Sequence, residues 1–217
     1  MRGPPLAKLR ERRRARLRHA LLPCAMLSGV LAVGGHPLAS SAAESPDETT
    51  AFDQLLKLLA ERRHDHVNFT EVQQLAILDR PLHSAGELLY DAPDRLEKRT
   101  LEPRRENLVL EHGVLSIERD HHHRSVSLRD FPQVVPFVES LRATLAGDRE
   151  ALARYFTVQF SGTLERWTLE LTPTDIALKR SVQHILITGE TDRVRTVQIR
   201  QNDGDTSTLT IGSEVVP

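Results

Sequence analysis

Residues Trp167-Thr168-Leu169-Glu170-Leu171-Thr172-Pro173 alternate apolar and polar side chains without a break. Successive side chains of an extended chain point to opposite faces, so this run reads as a β-strand with one dry and one wet face. The same period recurs on both sides of it. Upstream, Leu115 and Ile117 alternate with Ser116 and Glu118, Val126 and Leu128 with Ser127 and Arg129, and Val158 and Phe160 with Gln159 and Ser161. Downstream, Val197 and Ile199 flank Gln198, and Leu209 and Ile211 alternate with Thr208 and Thr210. The joints are short turn signals: Asp79-Arg80-Pro81, His112-Gly113 and Asn202-Asp203-Gly204-Asp205. Short turns between alternating runs predict hairpins, hence an antiparallel sheet whose apolar faces all point to one side.

Helical spacing appears before and within this series. Phe52, Leu55, Leu56, Leu58 and Leu59 predict a helix capped by Thr49 or Thr50. Arg62, Arg63 and His64 would close it, where positive charge suits the negative end of the helix dipole. Val134, Val135, Phe137, Val138, Leu141 and Leu145 predict a second helix, stopped by Gly147, and Asp148 caps a third over Glu150 to Tyr155. The expected fold is α+β and mainly β: a curved antiparallel sheet with an N-terminal helix and an inserted helical lid. No repeat or long linker divides residues 44–217, which read as one domain. Two or three short helices cover only part of so wide a face, so a cavity is a natural outcome. Side chains alone can also fill such a space.

The first 43 residues read differently. They carry eight Lys or Arg against a single acid, Glu11, and then an uncharged run from Ala20 to Gly35. Ala39-Ser40-Ser41-Ala42-Ala43 follows, with Ser41 and Ala43 in the small-x-small pattern of signal-peptidase sites. Basic head, short apolar run and small-residue exit predict a cleaved secretory signal over residues 1–43. The alternative is a retained membrane anchor, for which Pro23, Gly29, Gly34 and Gly35 make a poor spanning helix. Arg13-Arg14 lacks the hydrophobic pair of a twin-arginine signal, and Cys24 lies at the front of the apolar run, where no lipobox ends.

With the leader set aside, the whole-chain charge of −1 resolves into 21 bases against 29 acids. An acidic body excludes a nucleic-acid partner, which would need a basic footprint. Cys24 is the one cysteine, so the body has no disulfide, thiol nucleophile or Cys-ligated metal. His121-His122-His123 and His64-Asp65-His66 are the histidine clusters. Neighbours in a strand face opposite ways, and these segments read as a hairpin tip and a helix-to-strand turn, so no metal site is expected. No serine lies in a Gly-x-Ser-x-Gly elbow, no glycine-rich phosphate loop appears, and Glu87, Glu97 and Glu118 are scattered on wet strand positions. The expectation is a protein that is not an enzyme and needs no cofactor; a hydrolase assembled only in space is the third reading.

One resemblance spans roughly Ala51 to Ile211. It rests on Val67-Asn68-Phe69-Thr70-Glu71, Ser84-Ala85-Gly86-Glu87-Leu88-Leu89-Tyr90, Ala92-Pro93, Glu102-Pro103 and Leu108 to Ile117 through Glu111-His112-Gly113-Val114-Leu115. Tyr155 to Phe160 and Trp167 to Pro173 complete it. In this order and spacing the chain resembles the LolA family of periplasmic outer-membrane lipoprotein carriers. The resemblance implies an unclosed β-barrel, lidded by helices, whose hydrophobic interior holds acyl chains. It also implies a periplasmic monomer that takes cargo from an inner-membrane exporter and gives it to an outer-membrane acceptor. The cavity would be lined by Phe69, Leu88, Tyr90, Leu96, Leu115, Ile117, Val126, Phe160, Trp167 and Leu169, with Phe137, Val138 and Leu141 on the lid. Plain core packing is the other reading for each of them. The chain departs from the family pattern at Glu71, where Gln is usual, and at Ala92, where an Arg latch is usual. It also runs on only from Gly212 to Pro217 where the family has a C-terminal strand and hook, and is low in aromatics at 4%. These departures point to a divergent relative carrying a different acylated or lipid-like product. The alternative is an adaptor or envelope-stress sensor that uses the same barrel to bind a protein partner or stray lipid.

Overall fold

Every strand predicted from alternation appears in the computed structural model, which describes residues 46–120, 122–130 and 135–215. The leader, its exit site and Cys24 lie outside the described residues, as do His121 and the side chain of Phe137. All that is described belongs to one compact unit, Ser41–Pro217. Helix α1 spans Pro46–Glu61 and so begins ahead of Thr49 and Thr50. Proline suits that first turn, where its missing N–H would have had no partner. Arg62 and Arg63 lie beyond the helix rather than in its last turn, and His64 is already the first residue of β1 (His64–Gln74).

Strands β2 (Leu82–Asp91), β3 (Arg95–Glu102), β4 (Glu106–Glu111), β5 (Val114–Arg119) and β6 (His122–Ser127) follow. Leu128, which the alternation placed in a strand, starts a 3-10 turn instead (Leu128–Asp130) and is buried. Then come α2 (Val135–Leu145), α3 (Arg149–Tyr155), β7 (Phe156–Gly162), β8 (Trp167–Pro173), α4 (Ile176–Lys179), β9 (Val182–Glu190), β10 (Arg193–Gln201) and β11 (Thr206–Glu214). The peptide bonds Ala92–Pro93 and Glu102–Pro103 are cis.

All eleven strands form one antiparallel sheet in the order β6-β5-β4-β3-β2-β1-β11-β10-β9-β8-β7. β6 and β7 are its two edges, so the sheet is not closed into a barrel. The turn at His112-Gly113 has φ of 50° and 71°, the left-handed pair that tight hairpins favour. Gly147 stops α2 with φ of 65°, and a Cβ there would fall 2.2 Å from the Leu56 carbonyl oxygen of α1. The stop is therefore also a packing contact that no larger residue could make. Asp148 caps α3 as expected, its carboxylate accepting from the Ala151 N–H at 2.9 Å. Asp175 does the same for the short α4, which the sequence did not signal, accepting from Leu178 N–H.

The main core forms where α1, α2 and α3 meet the β7–β10 side of the sheet. Phe52, Leu55, Leu56 and Leu59 from α1 and Leu152 from α3 pack with Phe156, Phe160, Leu169, Leu171, Ile185 and Ile187. The Phe52 and Phe160 rings lie 6.2 Å apart. Each such side chain contributes roughly 1.5–3 kcal/mol by leaving water.

Candidate functional site

The pairing register decides which side chains share a face, because residues directly opposite across a ladder point the same way. Starting at one edge, Val126 faces Leu115, Leu115 faces Leu110, Leu110 faces Leu96, and Leu96 faces Tyr90. Two residues along β2, Leu88 faces Val67, and along β1 Phe69 faces Ile211. Leu209, on the same side as Ile211, faces Val197; Val197 faces Ile187, Ile187 faces Leu169, and Leu169 faces Phe160. Ile117 shares the side of Leu115, and Trp167 that of Leu169. All ten residues predicted for the sheet thus lie on one inner face, the one that receives the helices.

That face has two territories. Phe160, Trp167 and Leu169 belong to the closed core under α1, packed as interior residues. Phe69, Tyr90, Leu115 and Ile117 are also buried, while Leu88, Leu96 and Val126 are half-buried; none of these seven joins that core cluster. Among the described residues, the helices approach the sheet backbone most closely at β7, β8 and β9, away from this second territory. On the lid, Val138 and Leu141 are half-buried, and Leu141 packs against the main core.

Trp167 owes its place to a glycine opposite. Gly189 pairs with Trp167, and a Cβ at Gly189 would fall 2.1 Å from the indole ring. The indole N–H donates to the Thr191 carbonyl at 2.9 Å, so its polar end is satisfied.

Between the two territories the inner face carries a polar knot that the alternation did not single out. Glu71 is in phase with Val67 and Phe69, and Lys98 with Leu96. The Lys98 ammonium lies 2.6 Å from Glu71 Oε2 and 5.0 Å from the centre of the Phe69 ring. Ser84, Ser207 and Gln73 also donate to the Glu71 carboxylate, at 3.2, 2.8 and 3.0 Å. Burial pushes the Glu71 carboxyl up, but the Lys98 charge and these hydrogen bonds outweigh it and hold the pKa below its ordinary 4.5. One carboxylate so ties β1, β2, β3 and β11 together. The signal that could have found it is a charged residue on the apolar parity of two separate strands.

The outer face is a ladder of ion pairs. Glu97 is buried there between Arg95 and Arg99, each 2.6 Å away, and Arg99 reaches Glu87, which also meets His66 at 3.1 Å. Burial raises the Glu97 carboxyl, and hydrogen bonds from Arg99 and Asn107 more than reverse the effect. His122 and His123 lie in edge strand β6 rather than at a hairpin tip, and both are exposed. His64 begins β1 and meets Asp91 at 2.8 Å. No group of three or more His, Cys, Asp or Glu placed to hold a metal occurs among the described residues. An open cleft of about 420 Å³ lies beside the end of α1, lined by Leu58, Glu61, Arg62, His64, Thr191 and Asp192. Arg62 in its lining pairs with Asp65 and Asp192. Five of the six lining residues are polar.

No helix of the described residues is long and apolar enough to cross a membrane. No curated protein matches the chain. Among solved structures, a LolA superfamily protein from Nitrosomonas europaea is 11% identical with a TM-score of 0.41, over 78% of this chain and 93% of that one. The Mycobacterium tuberculosis lipoprotein LppX is 10% identical with a TM-score of 0.43, over 80% and 98%. The MucA/MucB complex of Pseudomonas aeruginosa is 14% identical with a TM-score of 0.38, over 78% of this chain and 59% of that one. Likenesses at these values carry no argument alone; the family model does, because it matches residues 42–215, most of the chain. The chain belongs to the family described as outer membrane lipoprotein carrier protein LolA-like.

Proposed function

We propose that this protein is an exported, monomeric, non-enzymatic carrier. It binds the acyl chains of a lipoprotein or other lipid-like cargo on the inner face of its open sheet. Its leader directs it to the periplasm, where it takes cargo from an inner-membrane exporter and passes it to an outer-membrane acceptor. The observation that supports this reading best is the shared parity of Phe69, Leu88, Tyr90, Leu96, Leu115, Ile117 and Val126 on the inner face, outside the core that the helices complete. A face of this kind buries acyl chain at roughly 25 cal/mol per Å² of apolar area. Binding there would leave in place the core under the helices, against which Leu141 packs.

The test is binding of a fluorescent fatty-acyl probe to the wild type, to Leu88→Asn on the inner face and to Glu118→Gln on the outer face. The reading expects saturable binding by the wild type and the outer-face variant, and at least a tenfold loss with Leu88→Asn. Absence of uptake by the wild type, or equal behaviour of the two variants, would sink it.

A further inference from the structure

We propose that the end of the sheet bearing the β1–β2 turn docks on the surface of a lipid bilayer, with Ile77 entering the apolar layer. This goes beyond cargo binding and does not depend on it. Seven large apolar side chains are exposed among the described residues. Val72, Ile77, Leu78, Leu82, Leu101 and Ile176 lie at the end where β1 turns into β2, β3 into β4 and β10 into β11. The Asn202 side chain, donating to the Lys179 carbonyl at 2.6 Å, sets α4 and its Ile176 beside the last of these turns. Val114 lies at the opposite end, where β4 turns into β5. Single apolar residues scattered over a surface need no explanation, but a gathering on one rim does.

Ile77 is 89% exposed. The Leu78 N–H donates to the Leu75 carbonyl at 2.9 Å, which makes Ala76 and Ile77 the central residues of a β-turn. Such positions favour Gly, Pro, Asn, Asp or Ser, so a β-branched apolar residue there serves neither the turn nor the core. The turn is nonetheless fixed in place. The Ala76 N–H donates to the buried Asp205 carboxylate at 2.7 Å. Both donors are satisfied within the protein, as a tip entering lipid requires, since hydrocarbon offers no hydrogen bonds.

The spread of the patch points to its partner. Neighbouring strands lie about 4.8 Å apart, so the five steps from β3, with Leu101, to β9, which follows Ile176, cover roughly 25 Å along the sheet. A protein pocket takes one or two close-set side chains. Apolar tips strung along a rim, with polar turns between them, suit a plane. Among the described residues, the turns at this rim carry Arg80, Arg104, Arg105, Lys179 and Arg180 against Asp79, Asp120, Asp175, Asp203 and Asp205. The acid excess of residues 44–217, 29 acids against 21 bases, therefore lies elsewhere, and headgroup phosphates are not repelled here. Exposed Arg80, three residues after Ile77, supplies a cation at headgroup level.

The experiment attaches an environment-sensitive fluorophore to Ile77→Cys and, separately, to Val114→Cys, each in the full chain with Cys24→Ser. Vesicles of phosphatidylethanolamine and phosphatidylglycerol are then added. The probe at position 77 should shift to the blue and be quenched by lipids labelled in their acyl chains; the probe at 114 should do neither. Both report from the same chain, so attachment through the leader alone would not tell them apart. In co-sedimentation, Ile77→Ser with Leu78→Ser should bind the vesicles about tenfold more weakly than Val114→Ser, the range for withdrawing one apolar side chain from lipid. No shift at 77, equal shifts at both positions, or equal partitioning of the two variants overturns the proposal. A shift at 77 that needs no vesicles and grows with protein concentration overturns it in favour of a second copy of this chain.

Discussion

Glu71→Gln puts on the inner face the residue that the resemblance leads one to expect there, and it should destabilise the protein. The substitution keeps the shape of the side chain and removes its charge. Lys98, 2.6 Å away, is then left as an unpaired cation on an apolar face. Breaking a fully buried pair by removing one partner costs about 3–5 kcal/mol. Here the two side chains are 9% and 28% exposed, so the ammonium can turn partly toward water. About 2–3 kcal/mol is the corresponding loss, by discounting that buried-pair range for solvent access. For a domain of this size the melting temperature moves about 2–4 °C per kcal/mol, so a fall of roughly 4–12 °C is expected.

Acid should narrow the gap. The folded-state pKa of Glu71 is depressed below 4.5, so its stabilising contribution is full above that pH and lost as pH falls through the folded value. Thermal melts of wild type and Glu71→Gln from pH 7 to pH 3 should run parallel above about 4.5 and converge below it. Adding Lys98→Met to Glu71→Gln removes the stranded cation and should recover most of the loss. A fall of less than about 2 °C at pH 7, or a double variant no better than the single one, would refute the account of this pair as an interdependent buried unit.

Two further outcomes follow from particular contacts. Gly189→Ala places a Cβ against the Trp167 ring and the Arg193 carbonyl, and should cost about 1–3 kcal/mol by overpacking. Trp167 is the only tryptophan, so its emission should shift to the red in the same variant; an unchanged spectrum and melt would show the strands able to part freely. His122→Ser with His123→Ser should change stability by no more than about 0.5 kcal/mol, since both side chains are exposed. A stoichiometric metal lost on making that double substitution would overturn the reading of them as solvated edge residues.

How much could be read from the chain alone depended on whether a signal was local. Alternation at Trp167–Pro173, the His112-Gly113 turn and the Asp148 cap each sit within a few residues, and each appears where it was expected. Alternation also carried the shared face of Leu115, Ile117, Val126, Phe160, Trp167 and Leu169, since parity within each strand and antiparallel pairing leave little freedom; Phe69, Leu88, Tyr90 and Leu96 came with the resemblance. β9 was missed because Ile185-Leu186-Ile187 is a continuous apolar run with no period, and both Ile185 and Ile187 are core residues. Leu128 was misplaced because one apolar residue after Val126 fits a strand and a tight turn equally well. Glu71 and Lys98 each stand as a charge on an apolar parity, but that they pair was hidden, because they are 27 residues apart and only register joins them. For the same reason the sequence could not separate Phe160, Trp167 and Leu169, which complete the core, from the seven residues beyond it.

The strand order also says something about how the chain comes together. β1 to β6 is one meander of nearest-neighbour hairpins, and β7 to β11 is another. The two halves meet at a single seam, β1 against β11, where Gln73 pairs with Ser207 and Phe69 with Ile211. Cross-seam hydrogen bonds such as Ser207 to Glu71 join residues 136 positions apart, and Ala76 to Asp205 joins residues 129 apart. Each meander can grow by short loop closures, whereas the seam must close most of the chain in one step and bears the largest entropic cost in the sheet. The Glu71 carboxylate spans that seam. A residue that clamps four strands in the finished molecule is also the fastener at the join that forms least easily.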